Sequence, residues 1–324
     1  MALSEFDLIR RYFSEPAVIR DDVVLGVGDD CALLRLPPGH ELAVTVDTLV
    51  SGVHFFPDVD PEALGHKVLA VNLSDLAAMG AQPAWATLAL TLPTADSNWL
   101  AAFSKGFSAL AKRYGVQLIG GDTTRGPLSI TVQAQGFLPS GSALTRSGAH
   151  PGDLICVTGN LGDAGLALSA KQGHRLLKTF DLRDVVQRLE RPEPRVGMGF
   201  ELRELATAAI DISDGLLADL GHILQASGVG GRLNLSQLPL SLPVAEVVAE
   251  ADGWSLPLTA GDDYELCFTL PLERLHEVEA ISDRLALPIA VVGRIEAGSG
   301  LRCEREDGTL WQPPAAGFDH FADV

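Results

Sequence analysis

Val116-Gln117-Leu118-Ile119-Gly120-Gly121-Asp122-Thr123-Thr124 decides how this chain is read. An apolar run gives way to two glycines, then to a carboxylate and two hydroxyls. Upstream, Asp96 to Tyr114 carries a helical pattern closed by Gly115, which suits the left-handed position after a helix. Before that helix, Ala84 to Leu92 reads as a buried strand. Downstream, apolar Leu128, Ile130, Val132 and Ala134 alternate with polar Ser129, Thr131, Gln133 and Gln135, the period of a half-exposed strand. Strands and helices alternate, so this half is α/β or mixed α+β. The glycine pair would let backbone N–H groups approach a phosphate, with Asp and Thr oxygens as hard ligands. The same residues also suit a plain hairpin turn.

The aspartate of that stretch is one of a series. Gly28-Asp29-Asp30, Val46-Asp47-Thr48, Ser74-Asp75 and Asp211-Ile212-Ser213-Asp214-Gly215 repeat the pattern, most of them after short apolar runs such as Leu42-Ala43-Val44 or Ala208 to Ile210. Each aspartate alone can start a turn or cap a helix. Together at one edge they would repel, by roughly 1 to 4 kcal/mol for two carboxylates about 4 Å apart. Such a cluster calls for a cation, and hard divalent metals fit it.

The formal charge of −18 over 324 residues argues against nucleic acid and against anionic membrane surfaces as partners. A hydrophobic share of 47% with 20% charged residues is that of a globular chain long enough for two domains. Met1 to Asp7 is acidic and lacks a signal-peptide apolar region, and no apolar run reaches membrane length, which implies a cytoplasmic protein. Cys31, Cys156, Cys267 and Cys303 form no CxxC pair; Cys156 and Cys267 read as reduced core residues, and a zinc site is not expected.

Further elements follow from periodicity and end signals. Ser4-Glu5-Phe6-Asp7 resembles a capping box for a helix to Phe13, and Asp60-Pro61 opens a longer helix ending near Met79-Gly80. A turn at Pro139-Ser140-Gly141-Ser142 leads to a boundary near residue 150, giving domains 1–150 and 151–324. In the second, helices are expected around 163–171, 181–190, 196–207, 215–226 and 271–285. Strands are expected near 154–157, 208–212, 231–235, 264–270 and 289–295. Gly-Asp-Asp recurs at 28–30 and 261–263, a hint that the halves are related.

Asn72 and Asp75 form a polar patch in the otherwise apolar helix from Pro61, costly to bury without partners. Gly159 to Gly165 superficially resembles a dinucleotide fingerprint, but its spacing differs and a structural tight turn is the better reading. Arg146, near the domain boundary, could reach a phosphate. His54 is equally a substrate contact or a capped loop histidine. A P-loop, the protein-kinase motifs and a Ser-His-Asp pattern are all missing from the sequence.

In this order the motifs resemble the thiamine-monophosphate kinases of the aminoimidazole ribonucleotide synthetase-like superfamily, over nearly the whole chain. The resemblance rests on Gly26 to Ala32, Thr45 to Val50, Gly52 to Phe55, Lys67 to Gly80 and Gly120 to Gly126. It continues through Arg191 to Arg195, Asp211 to Gly215, Asp263 to Leu266 and Gly317 to Phe321. It implies a two-domain fold, a homodimer formed by the N-terminal ATP- and magnesium-binding domains, and a C-terminal domain that completes the active site. The implied reaction is ATP-dependent phosphorylation of thiamine monophosphate to thiamine diphosphate, with several Mg2+ ions.

By position, the resemblance makes Asp30, Thr45, Val46, Asp47, Asp75, Asp122, Asp211 and Asp214 the metal set. Gly121, Asp122, Arg146 and Ser213 would contact ATP, and His54, Asp262 and Phe318 the thiamine phosphate. The catalytic roles fall to Asp30, Asp47, Asp75, Asp122, Arg146 and Asp214. Two positions depart from the family pattern. Val46 stands where a second Thr is frequent, so that metal contact must come from backbone or water. Asp262 stands where Glu is common, which shortens its reach.

Rival readings have their own signatures. A selenophosphate synthetase would want a reactive cysteine, and Cys31 in its apolar context does not fit. A hydrogenase-maturation role would want a cysteine where this sequence reads Ala322-Asp323-Val324. Aminoimidazole ribonucleotide synthesis fits the segments around His54 and Phe318 less well. A calcium-binding module would want an EF-hand loop, whereas these aspartates are dispersed along the chain.

Overall fold

The computed structural model describes residues 5–13, 16–175, 177–251 and 253–312. The chain divides into two compact units, residues 1–76 with 81–143, and residues 77–80 with 144–324. The expected capping residue Ser4 and the expected substrate contact Phe318 lie outside the described residues.

The first unit runs α1 (Glu5–Tyr12), β1 (Val23–Leu25), β2 (Leu33–Leu34), β3 (His40–Val50), α2 (Pro61–Ala78), β4 (Gln82–Leu92), α3 (Ser97–Tyr114), β5 (Gln117–Arg125) and β6 (Ser129–Pro139). The caps of α3 are those read from the sequence. The Asp96 carboxylate accepts from the Asn98 and Trp99 N–H groups, and Gly115 is left-handed at φ 68°. The Asp60 carboxylate likewise accepts from the Glu62 N–H at 3.1 Å, opening α2.

Four strands form a sheet in the order β3-β6-β4-β5. β4 and β5 are parallel, joined through α3, and the other pairs are antiparallel. One face of the sheet is apolar and closed, with Ile130, Val132, Ala134, Ala86, Leu88 and Leu90 buried. The other carries Val44, Val46 and Thr48 with Thr131, Gln133 and Gln135, as the period-two pattern of β6 requires.

The sequence reading ended the third and fifth strands too early. Asp47 sits inside β3 and Asp122 inside β5, neither at a strand end. The Gly120-Gly121 pair is not a turn but an edge-strand segment beside a β-bulge against Ala86 and Thr87. Asp47 shares its row with the buried Val132 and Leu88, whereas Asp122 lies in the neighbouring row beside Ala89.

The second unit contains β7 (Leu154–Thr158), α4 (Asp163–Lys171), α5 (Thr179–Glu190), α6 (Val196–Leu202), β8 (Ala208–Asp211), α7 (Leu216–Ser227), β9 (Gly230–Asn234), α8 (Leu242–Ala251), α9 (Ser255–Thr259), β10 (Leu266–Leu270), α10 (Leu275–Leu285), β11 (Ile289–Glu296), β12 (Gly300–Glu304) and β13 (Leu310–Trp311). Its sheet has the order β13-β12-β9-β11-β7-β10-β8. Ile155, Val157, Ile210, Leu216, Leu220 and Ile223 share its main core, which is how α7 seats on the sheet. The expected helix 196–207 stops at Leu202, whose carbonyl accepts from both the Leu205 and Ala206 N–H groups as the chain turns into β8. α8, α9, β12 and β13 were not anticipated.

Candidate active site

In the first unit, Thr45 and Asp47 lie on the closed face of β3, two residues apart and therefore on one side of the pleat. The Thr45 hydroxyl donates to the Asp75 carboxylate, which α2 presents from its last turns. Burial pushes the Asp47 carboxyl up to about 7, and the charge of Asp75 adds to the rise. Val46 points the other way and is 58% exposed, so of these three β3 residues only its backbone can serve the site that Thr45 and Asp47 face. Three residues before Asp75, Asn72 is fully buried. Its Nδ2 donates to the Val68 carbonyl, while its Oδ1 has no hydrogen-bond partner among the described residues.

The register separates Asp122 from this pair. Asp47, Val132, Leu88 and Gly121 form one row across the sheet, and Thr48, Thr131, Ala89 and Asp122 form the next. Neighbouring rows face opposite sides, and three strand spacings amount to about 14 Å. Within one chain Asp47 and Asp122 therefore lie on opposite faces of the sheet. Gly121 is required where it stands: at φ 155° its backbone approaches β4 so closely that a Cβ would lie 1.9 Å from the Leu88 carbonyl oxygen.

Asp30 lies on the exposed loop after β1, where its N–H donates to the Asp29 carboxylate at 2.9 Å. Among the described residues, no three His, Cys, Asp or Glu side chains are grouped closely enough to hold a metal by themselves. The donor set still suits magnesium. Thr45, Asp47 and Asp75 offer hard oxygens only, and the charge of Asp75 bears on Asp47. Magnesium retains several waters and takes one or two carboxylates rather than a closed cage.

His54 takes the loop-capping role: its Nδ1 accepts from the Val50 N–H at 3.0 Å, which leaves the neutral ring its proton on Nε2. A substrate contact through Nε2 is compatible with that bond.

In the second unit one end of the sheet collects acids. Asp211 ends β8 opposite Leu266, the first residue of β10, and the Leu266 N–H donates to the Thr158 hydroxyl that ends β7. Glu265, 3% exposed, accepts from Arg195 through two guanidinium nitrogens and from the Thr158 hydroxyl at 2.6 Å. This bidentate pair is what holds a buried carboxylate in place.

Asp263 accepts from the Gly162 N–H at 3.0 Å. Burial, then the charges of Glu265, Asp163 and Asp262, push its carboxyl well above the usual range. Gly159 to Gly165 is thus the structural turn expected, tied down by an acid. Arg146 sits on a strap whose backbone is fixed to β8 and α7: the Ala209 N–H donates to the Thr145 carbonyl, and the Ser227 hydroxyl to the Arg146 carbonyl.

Asp219 is a residue that sequence reasoning missed. From inside α7 its Oδ2 accepts from the Ser213 and Asp214 N–H groups at 3.1 and 3.0 Å, fixing the turn that carries both. It is 2% exposed, and burial pushes its carboxyl up to about 7. The signal available in the sequence was an acid in the first turn of an apolar helix. Arg195 and Glu265 were quoted within motifs but given no role.

Among the described residues, no helix is long and apolar enough to cross a membrane. Burial raises the thiols of Cys156, Cys267 and Cys303, the first to about 12, so none of the three is a ready nucleophile.

Comparison with known proteins matches two family models, the AIR synthase related protein N-terminal domain over residues 28–138 and its C-terminal domain over residues 150–305. The thiamine-monophosphate kinase of Escherichia coli (strain K12) is 49% identical over 99% of both chains, and that of Haemophilus influenzae 44% identical over 100% of this chain and 99% of its own. A crystal structure of thiamine-monophosphate kinase from Stenotrophomonas maltophilia K279a superposes with a TM-score of 0.85 at 47% identity, covering 96% of this chain and 99% of that one. A structure of AaThiL complexed with AMPPCP and TMP reaches 0.77 at 31% identity, over 98% and 96% of the two chains. The hydrogenase maturation protein HypE of E. coli reaches 0.78 at 21% identity, a likeness of fold alone. The chain belongs to the AIR synthase related family and, within it, to the thiamine-monophosphate kinases.

Proposed function

We propose that this chain transfers the terminal phosphoryl group of ATP to thiamine monophosphate, forming thiamine diphosphate and ADP. The observation that carries the reading is the full-length match to thiamine-monophosphate kinases. The paired acids of β3 and α2, and the acid-lined sheet edge of the second unit, support it.

The attacking group is an oxygen of the acceptor's own phosphate. The second pKa of a phosphate monoester is about 6, so the oxygen is ionised at neutral pH and no general base is needed. What the reaction needs is positioning and charge neutralisation. A chain of net charge −18 cannot itself neutralise two polyanions. Bound magnesium supplies that positive charge. Asp30, Thr45, Asp47, Asp75, Asp122, Asp211 and Asp214 are its ligands in this reading, with the Val46 backbone.

Gly121, Asp122, Arg146 and Ser213 hold ATP, while His54, Asp262 and Phe318 meet the acceptor. The enzyme is cytoplasmic in this reading. The exposed Leu42, Val44 and Val46 of β3 support a homodimer formed by the first unit. The test is product analysis with magnesium, ATP and, in turn, thiamine monophosphate, thiamine and aminoimidazole precursors. Thiamine diphosphate should appear with the first alone, and turnover of free thiamine at a comparable rate contradicts the reading.

A further inference from the structure

Gly261 to Glu265 runs beside Ile212 to Ser213 on a short ladder. The Asp262 N–H donates to the Ser213 carbonyl at 2.9 Å, the Tyr264 N–H to the Ile212 carbonyl at 2.8 Å, and the Ile212 N–H to the Glu265 carbonyl at 2.8 Å. A Cβ on Gly261 would lie 2.2 Å from the Ser213 carbonyl oxygen, so the two segments can touch only with glycine there. Within the ladder Asp262 and Tyr264 are both left-handed, at φ 68° and 50°. Aspartate tolerates that conformation, but for a bulky tyrosine it is unusual and needs support from its surroundings. The conformation brings the Tyr264 hydroxyl onto its neighbour's side chain, where it donates to Asp262 Oδ1 at 2.9 Å.

We propose that Tyr264 is a positioning residue of the acceptor site: its hydroxyl holds the Asp262 carboxylate in the orientation from which it meets the acceptor's cationic or amino-bearing part. The inference rests on the phosphoryl-transfer reading and on Asp262 as an acceptor contact. Thiamine monophosphate carries a thiazolium cation and an aminopyrimidine. A carboxylate attracts the one and accepts a hydrogen bond from the other. Asp262 is one methylene shorter than glutamate and has little reach to spare. A carboxylate already fixed by a neighbour loses less rotamer freedom when the acceptor binds. The ladder anchors the same two residues to the segment carrying Ser213, so the backbone on which Asp262 stands is fixed as well.

The test is steady-state kinetics of Tyr264→Phe, Asp262→Gly and the double variant with magnesium-ATP and thiamine monophosphate, each accompanied by thermal melting. Glycine at 262 removes the carboxylate and accepts the left-handed backbone. Tyr264→Phe should raise KM for thiamine monophosphate by about tenfold, the loss of one charge-assisted hydrogen bond. Its kcat and its KM for ATP should stay within about twofold of the unaltered enzyme. Asp262→Gly should raise the same KM at least as much, and the double variant should be no worse than Asp262→Gly, because both act through one carboxylate.

Additive losses overturn the inference. So does a Tyr264→Phe protein that melts below the assay temperature, or one that loses kcat and ATP affinity together, since either makes the hydroxyl a support of the fold. An unchanged KM in Asp262→Gly removes the premise about Asp262 while leaving the reaction standing. Failure of the unaltered protein to form thiamine diphosphate removes the reaction itself.

Discussion

The Thr45 hydroxyl donates to the Asp75 carboxylate, so β3 and α2 are joined at the point where Asp75's charge also raises Asp47. The two negative charges repel each other. Asp47→Asn and Asp75→Asn should each lower kcat by about a hundredfold or more, the scale seen when one preorganised electrostatic group is lost. The metal-free melting temperature of Asp47→Asn should hold or rise, because a repelling buried charge has been removed. A large fall in that temperature would make Asp47 a structural residue instead.

The raised carboxyls set a pH dependence. Asp47 and Asp219 reach about 7 in the folded protein against 3.8 for the ordinary group. A folded pKa above the unfolded one means the folded state binds the proton more tightly. The stabilisation is therefore full below about pH 4 and is lost as pH rises towards 7. For these two groups, metal-free protein should melt progressively lower from pH 5 to pH 8, as scanning calorimetry can follow. Asp47→Asn should flatten the profile, and so should saturating magnesium, which displaces the proton. A slope that magnesium leaves unchanged contradicts the assignment of Asp47 to the metal.

Gly121 should resist substitution for a reason independent of chemistry. Its added Cβ would meet the Leu88 carbonyl oxygen at 1.9 Å, which no side-chain rotation relieves. Gly121→Ala should cost about 3 kcal/mol or more in urea unfolding, the upper range of overpacking. Gly120→Ala should cost far less, since its Cβ would have nothing within 4 Å. Equal losses would contradict the strand geometry of β5.

Asp214 and Asp219 make a separable pair. Asp214→Asn should weaken catalysis strongly and be partly rescued by higher magnesium, because the variant loses a ligand charge. Asp219→Ala should weaken catalysis without magnesium rescue, because it frees the Ser213 and Asp214 N–H groups that fix the turn. Asp219→Asn keeps an accepting oxygen and should recover most of the loss. Full activity of Asp214→Asn at limiting magnesium would reduce Asp214 to a helix cap.

Much of this was written in local signals. The ends of α3 follow from Asp96 and Gly115, and the alternation of β6 follows from the residues between Ser129 and Gln135, because each signal acts within a turn or a strand. The true extent of β3 and β5 was hidden, because Asp47 and Asp122 are polar residues inside strands, a place where local preference predicts an ending. α8 and α9 were hidden in a proline-punctuated apolar stretch, and β12 and β13 in glycine-rich, charged chain held by pairing to distant partners. The aspartates were legible as a series, but not their division between two faces of the sheet, which only register reveals. Tyr264 and Asp219 act through a neighbour's side chain and backbone, contacts that spacing does not encode.

Transfer of label tests the account most directly. With ATP carrying radioactive phosphorus in its terminal phosphoryl group, magnesium and thiamine monophosphate, the label should appear in thiamine diphosphate in step with ADP. It should sit on the terminal phosphate of the product, since the acceptor's own phosphate is the nucleophile. Label released as inorganic phosphate, or ADP formed at the same rate without thiamine monophosphate, would contradict the account.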